Sequence, residues 1–214
     1  KPKAKYNIVN DLDSDVFNLF NVVMNKKKEL EKAFYMMPIH SDLLDYWKEN
    51  KETDPIKKAL SFLLPSNMTW LGIGDKIHTA LKNHKKPFEE NIDKTNEMLK
   101  DVIFNNLDVV DFFKNISFRG IDEINNTLIY CDPPYLGTND NYSNSFTEEQ
   151  SKELFDTLKE TGCKFAMSEF DHPFILEQAK QRNLNVIIIG ERQNLKNRRT
   201  EILVTNYSNS QQSL

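Results

Sequence analysis

The spacing of apolar residues changes twice along this chain. Tyr6 to Val9 is a short apolar run that stops at Asn10-Asp11, which predicts a strand. Asp13 or Ser14 can cap a following helix over 15 to 25, where Val16, Phe17, Phe20 and Val23 form an apolar stripe. From 26 to 100 the pattern is helical and polar. Leu30, Phe34 and Met37 make one stripe, Leu43, Leu44 and Trp47 another, and Ile56, Leu60 and Leu63 a third. Within this block only Met68 to Ile73, between Pro65 and the Gly72-x-Gly74 turn, reads as a hairpin arm.

Strands then return in alternation with helices. The strand signals are Val102 to Phe104, Thr127 to Cys131, Lys164 to Ser168, Asn185 to Gly190 and Glu201 to Tyr207. Helical windows lie near 109 to 115, 147 to 160 and 172 to 182, and Thr147 with Gln150 forms a capping box. This alternation predicts an α/β chain with a parallel sheet. The last two strands, joined by a ten-residue polar loop, are expected to pair antiparallel because so short a connection has no room for a helical crossover.

Composition narrows the class. With 39% hydrophobic residues and fourteen Phe in 214 residues, the chain can bury a core, which excludes wholesale disorder. No apolar run approaches the roughly 18 residues that span a bilayer, and Lys1 to Asp11 lacks the apolar core of a secretion signal. Cys131 and Cys163 are too few for a disulfide framework and, with four scattered His, suit no zinc site. These features together predict a soluble cytoplasmic protein without membrane or metal. The formal charge of -4 means that any contact with nucleic acid must rest on local basic patches.

The chemistry concentrates in Asp132-Pro133-Pro134-Tyr135, immediately after the strand that ends at Cys131. Two prolines can simply stop a strand, with Asp132 accepting turn hydrogen bonds. The quartet also sits outside the carboxyl end of a parallel strand, where ligands of α/β proteins bind. It suits a planar ring bearing an exocyclic amine. Asp132 offers an anionic acceptor, Pro133-Pro134 aims a carbonyl without competing N–H groups, and Tyr135 supplies a stacking face. Two acceptors on one amine draw its lone pair out of conjugation with the ring, so the nitrogen becomes a better nucleophile toward an activated methyl group. A base in a duplex must flip out to reach such a pocket.

With Leu128-Ile129-Tyr130-Cys131-Asp132-Pro133-Pro134-Tyr135 as its most specific segment, the chain resembles the Dam-like adenine-specific DNA methyltransferases, which use S-adenosylmethionine. The resemblance covers nearly the whole chain. It implies a class I methyltransferase fold, a Rossmann-like sheet built from 1–25 and 101–214, with a helical target-recognition insert at 26–100. It implies catalytic roles for Asp132, Pro133, Pro134 and Tyr135, and cofactor contacts from Asp11, Asp108 and Asp132. Asp108 can equally serve as a helix cap, whereas at Asp11 that task already falls to Asp13 or Ser14, which favours ribose binding. Double-stranded DNA is the implied substrate, and a restriction endonuclease is a candidate partner.

Two basic patches fall where that family touches DNA, and each can equally be a solvated face. One comprises Lys76, Lys82, Lys85 and Lys86 in the insert, the other Arg192, Lys196, Arg198 and Arg199 in the loop before the last strand. Tyr142, in the polar loop after the quartet, is a candidate contact to the flipped base or its gap, and such a loop can equally be simply flexible.

The chain departs from the family pattern in two respects. It opens at what is the family's second strand, without a Phe-x-Gly-x-Gly loop; its Gly72-Ile73-Gly74 lies in the insert. A sheet lacking that first, central strand is expected to part into two halves with unpaired inner edges. Ser168-Glu169 stands where many relatives carry Ser-Asn, placing a negative charge beside the presumed cleft. The competing readings are methylation of RNA or of a protein glutamine, and an inactive, truncated DNA-binding remnant.

Overall fold

The computed structural model describes residues 4–38, 40–68, 85–137, 146–193 and 198–208, with backbone alone at 64–68, 85–87, 192–193 and 198. The chain divides into two compact units, Lys1–Asp108 and Val109–Leu214.

The first unit starts with β1 (Asn7–Asn10) and α1 (Ser14–Asn25). It continues through α2 (Lys27–Met36), α3 (Ser41–Glu49), α4 (Pro55–Met68) and α5 (Lys85–Leu99), and closes with β2 (Val102–Asn105). Asp13 caps α1 by accepting the Asp15 N–H at 2.7 Å, one of the two expected caps. The helix buries Leu19, Val22 and Val23, so its inward stripe lies further round than Val16, Phe17 and Phe20. The reason is the neighbour: α4 packs along α1, and Ala59 and Leu60 fill the same core as Leu30, Phe34 and Ile92. Met68 ends α4 instead of opening a strand, because the helix runs on past Pro65, which forfeits only its own bond to the preceding turn. The rest of the expected hairpin arm, 69–73, lies outside the described residues.

Strands β1 and β2 pair in parallel, Asn7 opposite Val102 and Asn10 opposite Asn105. Side chains then lock the two strand ends together. Asn10 donates Nδ2 to the Leu107 carbonyl at 2.9 Å and accepts the Leu107 N–H at 3.1 Å, imitating one further rung of the ladder. Asn106 donates to the carbonyls of Asp11 and Leu12 at 2.7 and 3.0 Å.

The second unit contains α6 (Val109–Lys114), α7 (Ile121–Asn125), β3 (Leu128–Cys131), α8 (Glu148–Glu160), β4 (Lys164–Phe170), α9 (Pro173–Gln181), β5 (Asn185–Gln193) and β6 (Arg198–Thr205). The capping box at Thr147 is formed on both sides. The strand order is β3-β4-β6-β5, with β3 parallel to β4 and β6 antiparallel to both its neighbours. A mixed sheet results, in an α/β chain whose described strands form two sheets, one in each unit.

The final hairpin is longer than its apolar residues indicate. Its arms extend to Gln193 and from Arg198, with Arg192 opposite Arg199, so both arginines lie on strands and not in a ten-residue loop. Polar residues carry the ladder here. Strand β5 is one of the two edge strands of this sheet among the described residues. Its register slips between Ile188 and Gly190, leaving Ile189 as a bulged residue. Strand β4, in contrast, is buried along Phe165 to Phe170. Phe165 and Met167 on one face join Ile202, Val204, Leu154, Phe155 and Ile175 in the core of this unit.

Candidate active site

The quartet leaves the C-terminal end of β3 and crosses the end of β4. Pro133 and Pro134 have no N–H, so they enter this crossing without donors to satisfy. Asp132 is exposed, yet its carboxylate is oriented: Ser168 Oγ on β4 lies 2.8 Å from Asp132 Oδ1. Tyr130 OH is 3.2 Å from Ser168 Oγ. With the Ser168 proton spent on Asp132, Tyr130 is the donor in that pair, giving a directed chain from Tyr130 through Ser168 to Asp132.

Three consecutive residues then pin the loop. Tyr135 donates its hydroxyl to Glu201 Oε1 at 3.1 Å, and its ring meets Phe170 edge-on with centroids 4.7 Å apart. Burial foremost, together with the neighbouring carboxylates of Asp132 and Glu201, holds the phenol well above its usual range, so it remains a donor. Leu136 enters the core, 4% exposed, and its N–H goes to Glu169 Oε1 at 3.0 Å. Gly137 takes a positive φ of 73° at the turn, a conformation glycine adopts without strain. Its carbonyl accepts from Arg199 Nη2 at 3.2 Å, while the Arg199 guanidinium covers the Phe170 ring at 5.3 Å.

Glu169 does not stand in the cleft as a surface charge. It is 0% exposed, on the same face of β4 as Phe165 and Met167, opposite Ile202 of β6. The cause is that β4 runs two residues beyond Ser168, which turns Glu169 into a core position. Its second oxygen accepts the Phe170 N–H at 2.7 Å. Burial pushes its carboxyl up to about 7, against the pull of the two backbone donors, and the charge of Asp132 adds to the rise. Burial likewise pushes the Cys131 thiol up to about 12, so this sulfur next to the quartet stays protonated and unreactive at neutral pH.

The other expected residues fall as follows. Asp11 follows β1 and accepts the Asp13 N–H on Oδ1 at 2.8 Å. Asp108 is exposed and directly precedes α6. Lys85 and Lys86 open α5, and Arg198 begins β6 opposite Gln193. Lys76, Lys82, Tyr142 and Lys196 lie outside the described residues. Among the described residues no three His, Cys, Asp or Glu side chains gather where an ion could be held. No described helix is long and apolar enough to cross a membrane.

Sequence reasoning missed Ser168, Glu201 and the anchoring roles of Glu169 and Arg199. A signal existed for some of them. Two-residue alternation puts Arg199 and Glu201 on one face of β6 and Ile202 and Val204 on the other, and it puts Glu169 in phase with Phe165 and Met167.

Comparison with known proteins places the chain in a family. The Type II methyltransferase M.FokI of Planomicrobium okeanokoites is 28% identical over 116 residues, 45% of this chain and 18% of that protein. The chain thus covers about a fifth of the relative's length. Residues 1–200 match the D12 class N6 adenine-specific DNA methyltransferases, and the chain belongs to that family.

Proposed function

We propose that this chain carries the catalytic quartet of an enzyme that methylates the 6-amino group of a flipped adenine in double-stranded DNA. The single observation that supports it best is the pinned quartet: an exposed Asp132 oriented by Ser168, followed by three residues fastened to β4 and β6.

Asp132 accepts one hydrogen of the amine and the Pro133 carbonyl accepts the other. Both pulls localise the nitrogen lone pair. Tyr135 offers its ring to the base while its hydroxyl stays tied to Glu201. S-adenosylmethionine, when bound, supplies an electrophilic methyl group. The methylated amine is acidic and sheds its proton readily, so no strong base is needed beyond acceptors such as Asp132.

The residues present fit that cofactor. Asp11 and Asp132 are acidic acceptors following the C-terminal ends of parallel strands, the edge where α/β sheets bind ligands, and Asp108 is exposed after β2. Asp11 would take ribose hydroxyls, and Asp108 and Asp132 would hold the rest. A class I, Rossmann-like arrangement with residues 26–100 as the recognition insert is part of this reading. Lys76, Lys85, Lys86, Arg198 and Arg199 are the DNA contacts in this reading, and the Type II label of the relative supports a restriction endonuclease as partner. Two free thiols fit a reducing cytoplasm.

The test is incorporation of labelled methyl from S-adenosylmethionine into unmethylated genomic DNA by the intact protein. Asp132→Ala should lower turnover by about a hundredfold or more while DNA affinity stays within a few-fold. Near-normal turnover in that variant would sink the assignment.

A further inference from the structure

We propose that Glu169 is a positioning residue for the quartet, its buried carboxylate fixing the backbone at Leu136 so that Asp132 and Tyr135 keep one geometry. This rests on the function proposed above.

Three observations carry it. First, Glu169 occupies a core position: Phe165 and Met167 precede it on the same face of β4, and Ile202 lies opposite on β6. An apolar side chain would continue that row without the cost of burying a carboxylate. Second, its two oxygens are spent on backbone donors, Leu136 N–H at 3.0 Å and Phe170 N–H at 2.7 Å. Leu136 lies in the buried core cluster, so without Glu169 its N–H would face apolar neighbours unpaired. Third, the fastening is adjacent to the chemistry. Leu136 is the first residue after the quartet, and the two residues before Tyr135 are prolines that can supply no N–H of their own. With no donors at 133 and 134, the Leu136 N–H gives Glu169 of β4 a backbone hold on this segment, next to the side-chain hold of Ser168 on Asp132.

Protonation changes this grip. The carboxylate accepts from both donors, whereas the acid must give one oxygen to its own hydrogen. The charge on Asp132 bears directly on Glu169. The other titratable or charged groups on the surrounding elements are Cys131 at the end of β3, Tyr135 in the loop, Arg199 and Glu201 on β6, and His172 at the start of α9.

The test uses methyl incorporation into unmethylated genomic DNA by the intact protein, with kcat and the KM for S-adenosylmethionine measured from pH 6 to 8. Glu169→Gln has nearly the same shape but presents one acceptor and one clashing amide to the two N–H groups. It should lower kcat about tenfold at pH 8 and leave KM within about threefold. In the unaltered protein kcat should rise with pH through about 7, and Glu169→Gln should abolish that rise. His172→Asn keeps an acceptor for the Phe174 N–H and should leave the rise in place. Amide-exchange protection at Leu136, corrected for intrinsic chemistry, should grow over the same pH range; this measurement decides the matter should Glu169→Gln fail to fold.

Wild-type kcat in Glu169→Gln at every pH overturns the proposal, as does a pH rise that moves with His172→Asn, or Leu136 protection that is flat with pH. Asp132→Ala separates the two levels. A dead Asp132→Ala beside a fully active Glu169→Gln removes the positioning role alone. An active Asp132→Ala removes the function on which it rests.

Discussion

At Glu169 one side chain sets stability against pH with a definite sign. Its carboxyl titrates at about 7 in the fold against 4.5 for an ordinary glutamate. Between those values the folded chain holds a proton that the unfolded chain has lost, so stability falls as pH rises through this window and levels off above it. The span corresponds to roughly 3 kcal/mol from this group alone. Thermal unfolding from pH 4.5 to 8 should therefore show a descending limb that Glu169→Gln flattens. The quartet itself was legible in the sequence because four unusual residues stand together. Its supports were not, because sheet register brings Ser168 and Glu169 from more than thirty residues away, and Glu201 and Arg199 from more than sixty. Two-residue alternation shows the strand face that Glu169, Arg199 and Glu201 share, but only strand order and register show which residues they meet.

Among the elements, those with a strong apolar period were read correctly, α2 through Leu30 and Phe34 and α8 through its capping box among them. The short α7 and the polar arms of the β5–β6 hairpin were not, since neither shows an apolar face to the core. The order β3-β4-β6-β5 was also out of reach, because β6 enters between two strands that precede it. The β1–β2 pair shows what such short strands need. Four residues each give few rungs, and Asn10 adds two bonds to Leu107 beyond the last of them. Asn10→Ala leaves the part-buried Leu107 N–H and carbonyl without these partners and should cost about 1–3 kcal/mol. Urea unfolding should show a lower midpoint with an unchanged m-value.

Over the whole molecule, one edge strand of the four-stranded sheet leaves a row of aliphatic residues uncovered. On β5, Val186 is 41% exposed, Ile188 71% and Ile189 54%, and the strand's outer side has no neighbour among the described residues. A flat strand of this composition is a template on which another molecule can add a strand, and from there a fibril can grow. The extra residue at Ile189 breaks the even spacing of N–H and carbonyl groups and twists the edge, so an incoming strand can match only half of it. Deleting Ile189 would restore a regular ladder on a still more inviting surface. Light scattering on purified protein held at 37 °C should then rise over hours in the deletion variant and stay flat in the parent. The bulge thus acts as a guard on solubility, built from one isoleucine that has no partner in the ladder.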